Sequence, residues 1–369
     1  MVAPAYPKAG GTPCGAGFQL AQSRLRERLP SFVRPSQSYV GDIIMYQYRP
    51  CLNGSNTMTQ SENTGLVLVT GGTGFVGQNV VHRLRLAGWR VRILSRHVPT
   101  DTPEDSGVEW VPGNVLDLST LWAATRNCAA IIHLVGIIRE TRSQSFLQAH
   151  VQATENVLRA ATEAGVRRYI HMSALGTRAK AVSTYHQTKW RAEELVRGSK
   201  LVWTIFRPSL IHGPHGEFTT MVRQWHDGKI PPFLFMPFFG GGFWGQQALT
   251  RVQPILVSDV AEVFVLALTT TASEQQTCEL GGPDSMTWPE MLAVFNRVLP
   301  PPRRRIMGIP FWLAKGIAAW PWPALPFNRD QVIMAGEDSI CDLEPLRRIF
   351  PGFMPQPLEV SVQKYIQEA

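Results

Sequence analysis

The stretch LVLVTGGTGFVG, residues 66–77, decides how this chain folds. Its first five residues, Leu66–Thr70, are typical of a strand buried in a parallel sheet. Glycines spaced GxxGxxG follow: the first makes a tight turn, the second lets backbone N–H groups approach a pyrophosphate, and the third lets a helix pack closely on the strand. The helix N-terminus then favours the anionic phosphates. The stretch predicts a dinucleotide site formed by Gly71, Gly72, Thr73, Gly74, Phe75, Val76 and Gly77.

Strand-like and helix-like segments alternate outward from this stretch. Further strands are expected at residues 90–94, 108–111, 130–134, 168–172 and 202–206. Helical segments are expected at residues 75–87, 118–126, 146–164 and 185–196. Alternation at this spacing predicts an α/β fold, a Rossmann-type doubly wound parallel sheet.

The sequence changes character after Pro208, where turns, aromatic residues and prolines dominate. Helices are expected near residues 257–268, 288–298 and 310–319. We interpret residues 64–210 as the nucleotide-binding domain and 211–369 as a smaller C-terminal substrate-side lobe with a sheet-completing segment. The uncharged stretch 230–250 is long enough to form a membrane-spanning helix. Its prolines and glycine run instead predict a loop with exposed aromatic residues.

Residues 1–63 mix glycine, proline, serine and arginine without sustained periodicity, which predicts a disordered extension. Three interpretations stay open: a start placed too far upstream, with Met58 as the initiator, a targeting peptide, or a flexible tail. A targeting peptide would imply the mitochondrial matrix. Otherwise we expect a cytoplasmic protein, with the periphery of the inner membrane as the alternative.

The composition limits the kinds of molecule that the protein is expected to bind. The 369 residues carry a formal net charge of +8, which favours anionic partners. Zinc-finger, RNA-binding and basic-zipper patterns are not found, so we expect no nucleic acid. The five cysteines are widely spaced and form no CxxC pair, which indicates a reducing compartment without a disulfide framework. His212 and His215 are close in sequence, but we expect no metal site there.

The end of the second predicted strand bears on the choice of cofactor. A site selective for NAD often has an acidic residue there, which binds the ribose 2′-hydroxyl. This chain has Ser95-Arg96-His97 instead. An arginine can pair with a 2′-phosphate through two hydrogen bonds, whereas an acid would repel it. We therefore expect NADP(H) as the preferred cofactor, with NAD(H) as the alternative.

Several further motifs occur in a set order along the chain. They are His133-Leu134-Val135-Gly136, Ser173-Ala174-Leu175-Gly176, Tyr185-x-x-x-Lys189, Arg207-Pro208-Ser209 and Asp259-Val260-Ala261. In this order they resemble the extended and atypical short-chain dehydrogenase/reductases, the NAD-dependent epimerase/dehydratase-like proteins. Residues 151–157, 253–259 and 279–283 resemble the branch containing the nucleotide-binding accessory subunit of respiratory complex I and its bacterial relatives.

The resemblance implies a Rossmann fold with bound NAD(P)(H) over about residues 66–349. Beyond the glycine stretch and Arg96, it implies that the cofactor contacts Asn114, Val115, Leu134, Val135, Gly136, Tyr185, Lys189 and Pro208. Relatives commonly have Gly-Asp after the third strand, where the aspartate contacts adenine. Here the pair is Gly113-Asn114, and an asparagine can still donate and accept hydrogen bonds.

Tyr185 and Lys189 are four residues apart on a predicted helix, so they share one face. A nearby ammonium stabilises a phenolate, so we expect Lys189 to lower the pKa of Tyr185 and also to hold the nicotinamide ribose. Ser173 follows the fifth predicted strand and is expected to hydrogen-bond the substrate oxygen. Tyr185 would then exchange a proton as the nicotinamide exchanges a hydride.

Aromatic residues cluster in the C-terminal half. They are Phe233, Phe235, Phe238, Phe239, Phe243, Trp244, Phe311, Trp312, Trp320 and Trp322. A lobe core with a lid, a pocket for a long apolar substrate, and a membrane-interface patch all stay open. The basic run Arg303-Arg304-Arg305 before an apolar helix favours the last of these.

Two functions remain in contention. The first is an NADP(H)-dependent oxidoreductase, or an epimerase or dehydratase, that acts on a hydrophobic small molecule of quinone or isoprenoid type. The second is a non-catalytic nucleotide-binding subunit that supports a respiratory or ubiquinone-biosynthesis complex at the membrane. Tyr185 and Lys189 favour the first, and the resemblance to the complex I branch favours the second.

Overall fold

The computed structural model describes residues 65–99, 107–240, 250–319 and 327–367. The predicted extension over 1–63 and the residues Phe243, Trp244, Trp320 and Trp322 lie outside this set. Across the described ranges, no helix combines the length and apolar character needed to cross a bilayer.

The elements alternate as the sequence predicts, and their bounds are as follows. The strands are β1 (Leu66–Thr70), β2 (Arg90–Ser95), β3 (Val108–Pro112), β4 (Ala130–His133), β5 (Arg168–Met172), β6 (Val202–Pro208), β7 (Ile211–His212), β8 (Phe235–Gly240), β9 (Arg251–Val252), β10 (Ile255–Leu256), β11 (Gln276–Leu280), β12 (Met286–Thr287) and β13 (Arg305–Pro310). The helices are α1 (Phe75–Leu86), α2 (Leu118–Thr125), α3 (Ala153–Glu163), α4 (Thr184–Arg197), α5 (Glu217–His226), α6 (Val257–Leu266), α7 (Trp288–Val298), α8 (Phe311–Ala319), α9 (Arg329–Ala335), α10 (Glu344–Ile349) and α11 (Leu358–Gln367). A π-helical turn, Leu147–Gln152, runs directly into α3.

Seven strands form one parallel sheet in the order β11-β6-β5-β4-β1-β2-β3. The predicted Rossmann-type α/β fold is confirmed. All five residues of β1 are buried, because helices cover both faces of the sheet. The strand order reverses between β1 and β4, and sheets of this class bind dinucleotides at that switch point. The glycine stretch after β1 therefore lies where a nucleotide is expected.

Two apolar layers hold the sheet between its helices. One face packs against α1 and α6, with Val80, Phe206 and Phe264 at its centre. The other face packs against α2, α3 and α4, with Leu121, Val157 and Val196 buried against the strands. Each helix buries residues at helical spacing, as expected for amphipathic helices covering a sheet.

The last strand of the sheet, β11, follows the first elements of the lobe in sequence. Strand β11 pairs in parallel with β6, and α6 packs on α1. Arg168 on β5 fastens α6 to the sheet, because its Nε and Nη2 donate to the Ala267 carbonyl at 3.2 and 2.7 Å. A cation stabilises the carboxyl end of a helix. Burial lowers the pKa of this guanidinium to about 10.

The lobe has its own core, built on the parallel strand pair β8 and β13 and on α5, α7 and α11. The loop predicted for residues 230–250 is wrong over residues 235–240, which form β8. Its Phe238 is buried in the core, and Phe239 packs with Phe311 in a small neighbouring cluster. The prolines do not prevent this strand, because β8 is paired on one side only.

Candidate functional site

The glycine stretch forms a cradle at the carboxyl end of β1. Gly71 has a φ of +78°, a conformation that favours glycine, and its carbonyl accepts a hydrogen bond from the Gly74 N–H at 3.0 Å. A Cβ on Gly77 would lie 2.1 Å from the Gly71 carbonyl oxygen, so α1 can pack here only with glycine. The first turn of α1 has no acidic residue and no side-chain cap, and Thr73 and Gly74 are exposed. This cradle fits the phosphates of a dinucleotide.

The loop after β4 forms the neighbouring wall of the cradle. The Leu134 N–H donates to the Thr70 carbonyl at 3.0 Å, and the Val135 nitrogen lies 3.1 Å from where a Cβ on Gly71 would be. Leu134 is buried, Val135 is half-buried and Gly136 is exposed. The structure thus brings these three predicted residues against the glycine stretch.

The residues predicted to contact the adenosine part of the cofactor follow β2 and β3. Arg96 follows β2 and is exposed, as is Asn114 after β3. The Asn114 side-chain oxygen accepts from the Leu116 N–H at 3.1 Å, which leaves its amide as a donor for a base. The Val115 carbonyl accepts from Asn156 on α3 at 3.1 Å, so α3 fixes the backbone here.

Lys189 on α4 is 2% exposed, and its Nζ donates to the Met172 carbonyl at 2.9 Å. That carbonyl is the one hydrogen-bond partner which the described residues give this ammonium, although it has three donors. Nζ also lies 3.0 Å from where a Cβ on Gly136 would be, so any side chain there would meet it. Burial lowers the pKa of Lys189 to about 8, with nearby Glu193 acting in the opposite direction. The two remaining donors fit a nicotinamide ribose.

Tyr185 lies one helical turn before Lys189. Its ring meets His150 edge-on, with ring centroids 5.3 Å apart, and Phe146 at 5.9 Å. Burial raises the pKa of its hydroxyl to about 12, so the expectation that Lys189 lowers this pKa is wrong for this structure. The physical reason is that the Lys189 ammonium binds the Met172 carbonyl, while desolvation disfavours the phenolate.

Ser173 and Pro208 are both buried at the carboxyl edge of the sheet. The Ser173 N–H donates to the Phe206 carbonyl at 2.7 Å, and its hydroxyl is 3.4 Å from the Thr177 hydroxyl. The Pro208 carbonyl accepts from the Leu175 N–H at 2.9 Å. Both residues thus adjoin the 173–177 turn, near the start of the helix that carries Tyr185.

His150, which the sequence analysis did not single out, is part of the same corner. Its Nδ1 is 2.9 Å from the Thr188 hydroxyl, and its Nε2 is 3.1 Å from the Ile137 carbonyl oxygen. Burial lowers its pKa to about 2, so the imidazole is neutral. It lies on the π-helical turn, a feature frequent at functional sites. The family-like segment at residues 151–157 starts at Val151, one residue after His150.

A second missed residue is Glu193, one turn beyond Lys189 and fully buried. Its carboxylate accepts from Arg207 at 2.9 and 2.7 Å and from Arg197 at 2.6 Å. Arg207 belongs to β6, so this ion pair fixes α4 against the sheet. The positions of Tyr185 and Lys189 therefore depend on it.

Helix α9 and the residues around it contact the start of α4 and the segments on either side of Tyr185. Asp330 accepts from the Thr184 N–H at 2.8 Å, and Asn328 donates to the Ile138 carbonyl at 3.1 Å. Arg178 and Glu337 form an ion pair at 2.8 Å. These contacts close the lobe over the edge next to Tyr185.

The buried lysine gives a pH prediction. The folded protein holds Lys189 at a pKa of about 8, below its ordinary 10.5, so between these values the unfolded chain binds more protons. The free energy of unfolding should therefore gain from this group as pH rises from 8 to 10.5, by about 3 kcal/mol relative to Lys189→Met. Denaturant titrations of both proteins without added nucleotide measure it. The exposed Lys180→Met is the control and should keep the wild-type slope; equal slopes for wild type and Lys189→Met would contradict the prediction.

Comparisons with known proteins agree with this geometry. A family model described as the NAD dependent epimerase/dehydratase family matches residues 67–281, from the first to the last strand of the sheet. The mitochondrial NADH dehydrogenase (ubiquinone) 1 alpha subcomplex subunit 9 of Arabidopsis thaliana is 30% identical over 303 residues, 76% of this chain and 72% of that protein. A (4-alkanoyl-5-oxo-2,5-dihydrofuran-3-yl)methyl phosphate reductase of Streptomyces griseus is 31% identical over 240 residues, 65% of this chain and 76% of its own. The solved structure of epimerase Mth375 from Methanothermobacter thermautotrophicus has a similar fold, with a TM-score of 0.65 and 19% identity, covering 84% of this chain and 94% of that one.

Proposed function

The chain belongs to the NAD dependent epimerase/dehydratase family, and from this premise we propose that it is an NADP(H)-dependent reductase of a carbonyl compound with an apolar chain. The observation that carries the proposal is the placement of Tyr185 and the buried Lys189 one turn apart on the same face of α4. Tyr185 supplies a proton, and Lys189 has two hydrogen-bond donors left for a ribose.

The Tyr185 hydroxyl has the proton that reduction of a carbonyl needs. Burial raises its pKa to about 12, so the hydroxyl is protonated at neutral pH. A bound nicotinamide would supply the hydride. Lys189 would hold the ribose, Tyr185 would deliver its proton to the substrate oxygen, and Ser173 would orient that oxygen. His150 fixes the Tyr185 ring by its edge-on contact.

The surroundings of the site support an apolar substrate. Ile138, whose carbonyl binds Asn328, is 39% exposed, and Val182, which precedes α4, is 65% exposed. The similar reductase of Streptomyces griseus is named for a substrate that carries an alkanoyl group. Mixing the NADPH-loaded protein with a panel of long-chain ketones and quinones should oxidise the nicotinamide, which its absorbance reports. Cofactor that stays reduced with every compound would contradict the proposal.

A second candidate is a nucleotide-binding subunit of a respiratory complex. Its support is the 30% identity to a protein named as a mitochondrial NADH dehydrogenase subunit. In that case the nucleotide would stabilise the fold and turn over no substrate, and the mitochondrion would be the compartment. The effect of Tyr185→Phe on turnover separates the two candidates.

Cofactor choice is tested at Arg96. Arg96→Asp puts a carboxylate where a 2′-phosphate would bind, so it removes a charge-assisted pair and adds repulsion. We expect NADPH affinity to fall by about 2 to 4 kcal/mol and NADH affinity to change little, as measured by calorimetric titration. Arg126→Asp is the matched control, an exposed arginine that precedes β4 and lies at the opposite edge of the sheet. Equal binding of both cofactors before and after the change would show that Arg96 does not face the ribose.

A further inference from the structure

His133 is a buried histidine next to the site that the proposed reaction does not use. It is the last residue of β4 and is 1% exposed, and the wall of the cradle, residues 134–136, follows it directly. Hydrogen bonds occupy both of its ring nitrogens. Nδ1 lies 2.6 Å from the Thr70 hydroxyl, and Nε2 lies 3.2 Å from the Thr154 hydroxyl. The imidazole therefore joins the end of β1 to the start of α3.

The donor and the acceptor in each of these hydrogen bonds can be assigned. The Thr154 hydroxyl lies 2.6 Å from the His150 carbonyl oxygen, which can only accept, so its one hydrogen points there. Thr154 must then accept from the Nε2–H of His133, which leaves Nδ1 as the acceptor for the Thr70 hydroxyl. Burial lowers the pKa of His133 to about 3, and nearby Lys189 adds to the shift, so the ring is neutral as this assignment requires. We call Thr70, His133, Thr154 and the His150 carbonyl the histidine bridge.

The two ends of the histidine bridge belong to the two halves of the dinucleotide site. Thr70 immediately precedes Gly71, whose left-handed turn shapes the phosphate cradle. At the other end, His150 meets the ring of Tyr185 edge-on, and its Nδ1 lies 2.9 Å from the Thr188 hydroxyl on α4. Between its ends the bridge crosses from β1 to β4, where the strand order reverses. It therefore connects the phosphate cradle to the face of α4 that is proposed to hold the nicotinamide ribose.

A second buried histidine shows that burial alone does not produce such a bridge. His171 lies opposite His133 on β5, is also 1% exposed, and stacks on it with ring centroids 5.5 Å apart. Neither ring nitrogen of His171 has a hydrogen-bond partner among the residues that the structure describes. The two histidines thus share their burial and their face of the sheet, and they differ in their hydrogen bonds.

We infer that His133 is a positioning residue, which holds the phosphate cradle and the Tyr185 face of α4 at the spacing that one dinucleotide requires. A ligand gains affinity from both of its halves only where the protein holds both binding sites in place beforehand. The histidine bridge resists a shift of β1 against α3, because a shift would leave buried polar groups unpaired. The inference rests on nucleotide binding at the candidate site and not on the proposed reductase activity.

Ligands of different length test this inference. His133→Phe keeps an aromatic ring and loses both hydrogen bonds, so we expect it to weaken NADPH binding about tenfold in calorimetric titration. Affinity for 2′,5′-ADP, which occupies only the adenosine side, should stay as in wild type. NADH and ADP give the same comparison without the 2′-phosphate, so the result does not depend on cofactor choice. His171→Phe is the matched control and should bind both ligands like wild type. Unchanged NADPH affinity, an equal loss for both ligands, or the same loss in His171→Phe would overturn the inference.

Thr154→Val tests the bridge with a smaller change. It removes the hydroxyl that joins His133 to the His150 carbonyl, and we expect the same selective loss of NADPH affinity, about three- to tenfold. Thr125→Val deletes a buried hydroxyl that is bonded within α2 and should leave both affinities unchanged. Because both substitutions break one bridge, His133→Phe/Thr154→Val should lose no more affinity than His133→Phe alone. Additive losses would refute a shared bridge, and Thr154→Val decides the question by itself if His133→Phe does not fold.

Discussion

Tyr185→Phe should lower turnover by about 10²- to 10⁴-fold and leave folding and cofactor affinity unchanged. The ring contacts with His150 and Phe146 survive the change, because they involve the ring and not the hydroxyl. Among the described residues, the hydroxyl makes no hydrogen bond whose loss would destabilise the fold. Tyr169→Phe is the matched control: it deletes a buried hydroxyl on β5, outside the site, and should leave turnover unchanged.

Lys189→Ala should behave differently, because it removes the group proposed to hold the ribose. Cofactor affinity and turnover should then fall together. If the protein is instead a structural nucleotide-binding subunit, Tyr185→Phe will be silent and Lys189→Ala will only weaken cofactor retention. Complementation of a deletion strain separates these cases without knowledge of the substrate. Full rescue by Tyr185→Phe would rule out the reductase and leave the subunit.

Glu193→Ala should cost about 3 to 5 kcal/mol of unfolding free energy, the usual effect of removing one partner from a buried ion pair. The variant leaves Arg207, which is largely buried, with the longer 3.7 Å contact to Glu279 in place of its close carboxylate, and it also removes a partner of Arg197. Because α4 loses its tie to β6, we expect cofactor affinity to fall as well. Denaturant unfolding and calorimetric titration measure the two effects.

Glu194 provides the control for this prediction. It is the next residue on the same helix, it is 55% exposed at the side chain, and it binds Arg197 at 2.7 Å. Exposed ion pairs contribute about 0 to 1 kcal/mol, so Glu194→Ala should be nearly neutral. A similar cost for the two variants would show that burial of Glu193 does not decide its contribution.

The parts of the molecule that the sequence predicts well are those with local signals. Adjacent residues predict the turn at Gly71 and the strand before it. The alternation of strand-like and helix-like segments then predicts the whole parallel sheet. The sequence does not predict strand β8, because each residue of β8 pairs with one 70 positions later in β13 and the prolines of β8 resemble those of a loop. Nothing in the sequence indicates that these two segments pair.

The candidate site shows the same division. The spacing predicts Tyr185 and Lys189, but it does not predict the direction in which the tyrosine pKa shifts, because that direction depends on burial and on the carbonyl that binds Lys189. His150 contacts Tyr185 across 35 residues of sequence, and Glu193 meets Arg207 from another element. A histidine or glutamate within a helix is usually solvated, so only the packing of α3 and α4 on the sheet shows what these two residues do.

The contribution of α6 and β11 to the sheet bears on how the protein matures on the ribosome. When synthesis reaches Pro208, six of the seven strands exist, but β6 still has an open edge and α1 still exposes the face that α6 will cover. The nucleotide-binding half therefore stays an aggregation-prone nascent chain until about residue 280 has left the exit tunnel. While those last 70 or so residues are synthesised, chaperones would have to cover the exposed edge of β6 and the exposed face of α1. For the same reason, proteolytic cleavage near residue 210 would leave neither fragment able to fold by itself.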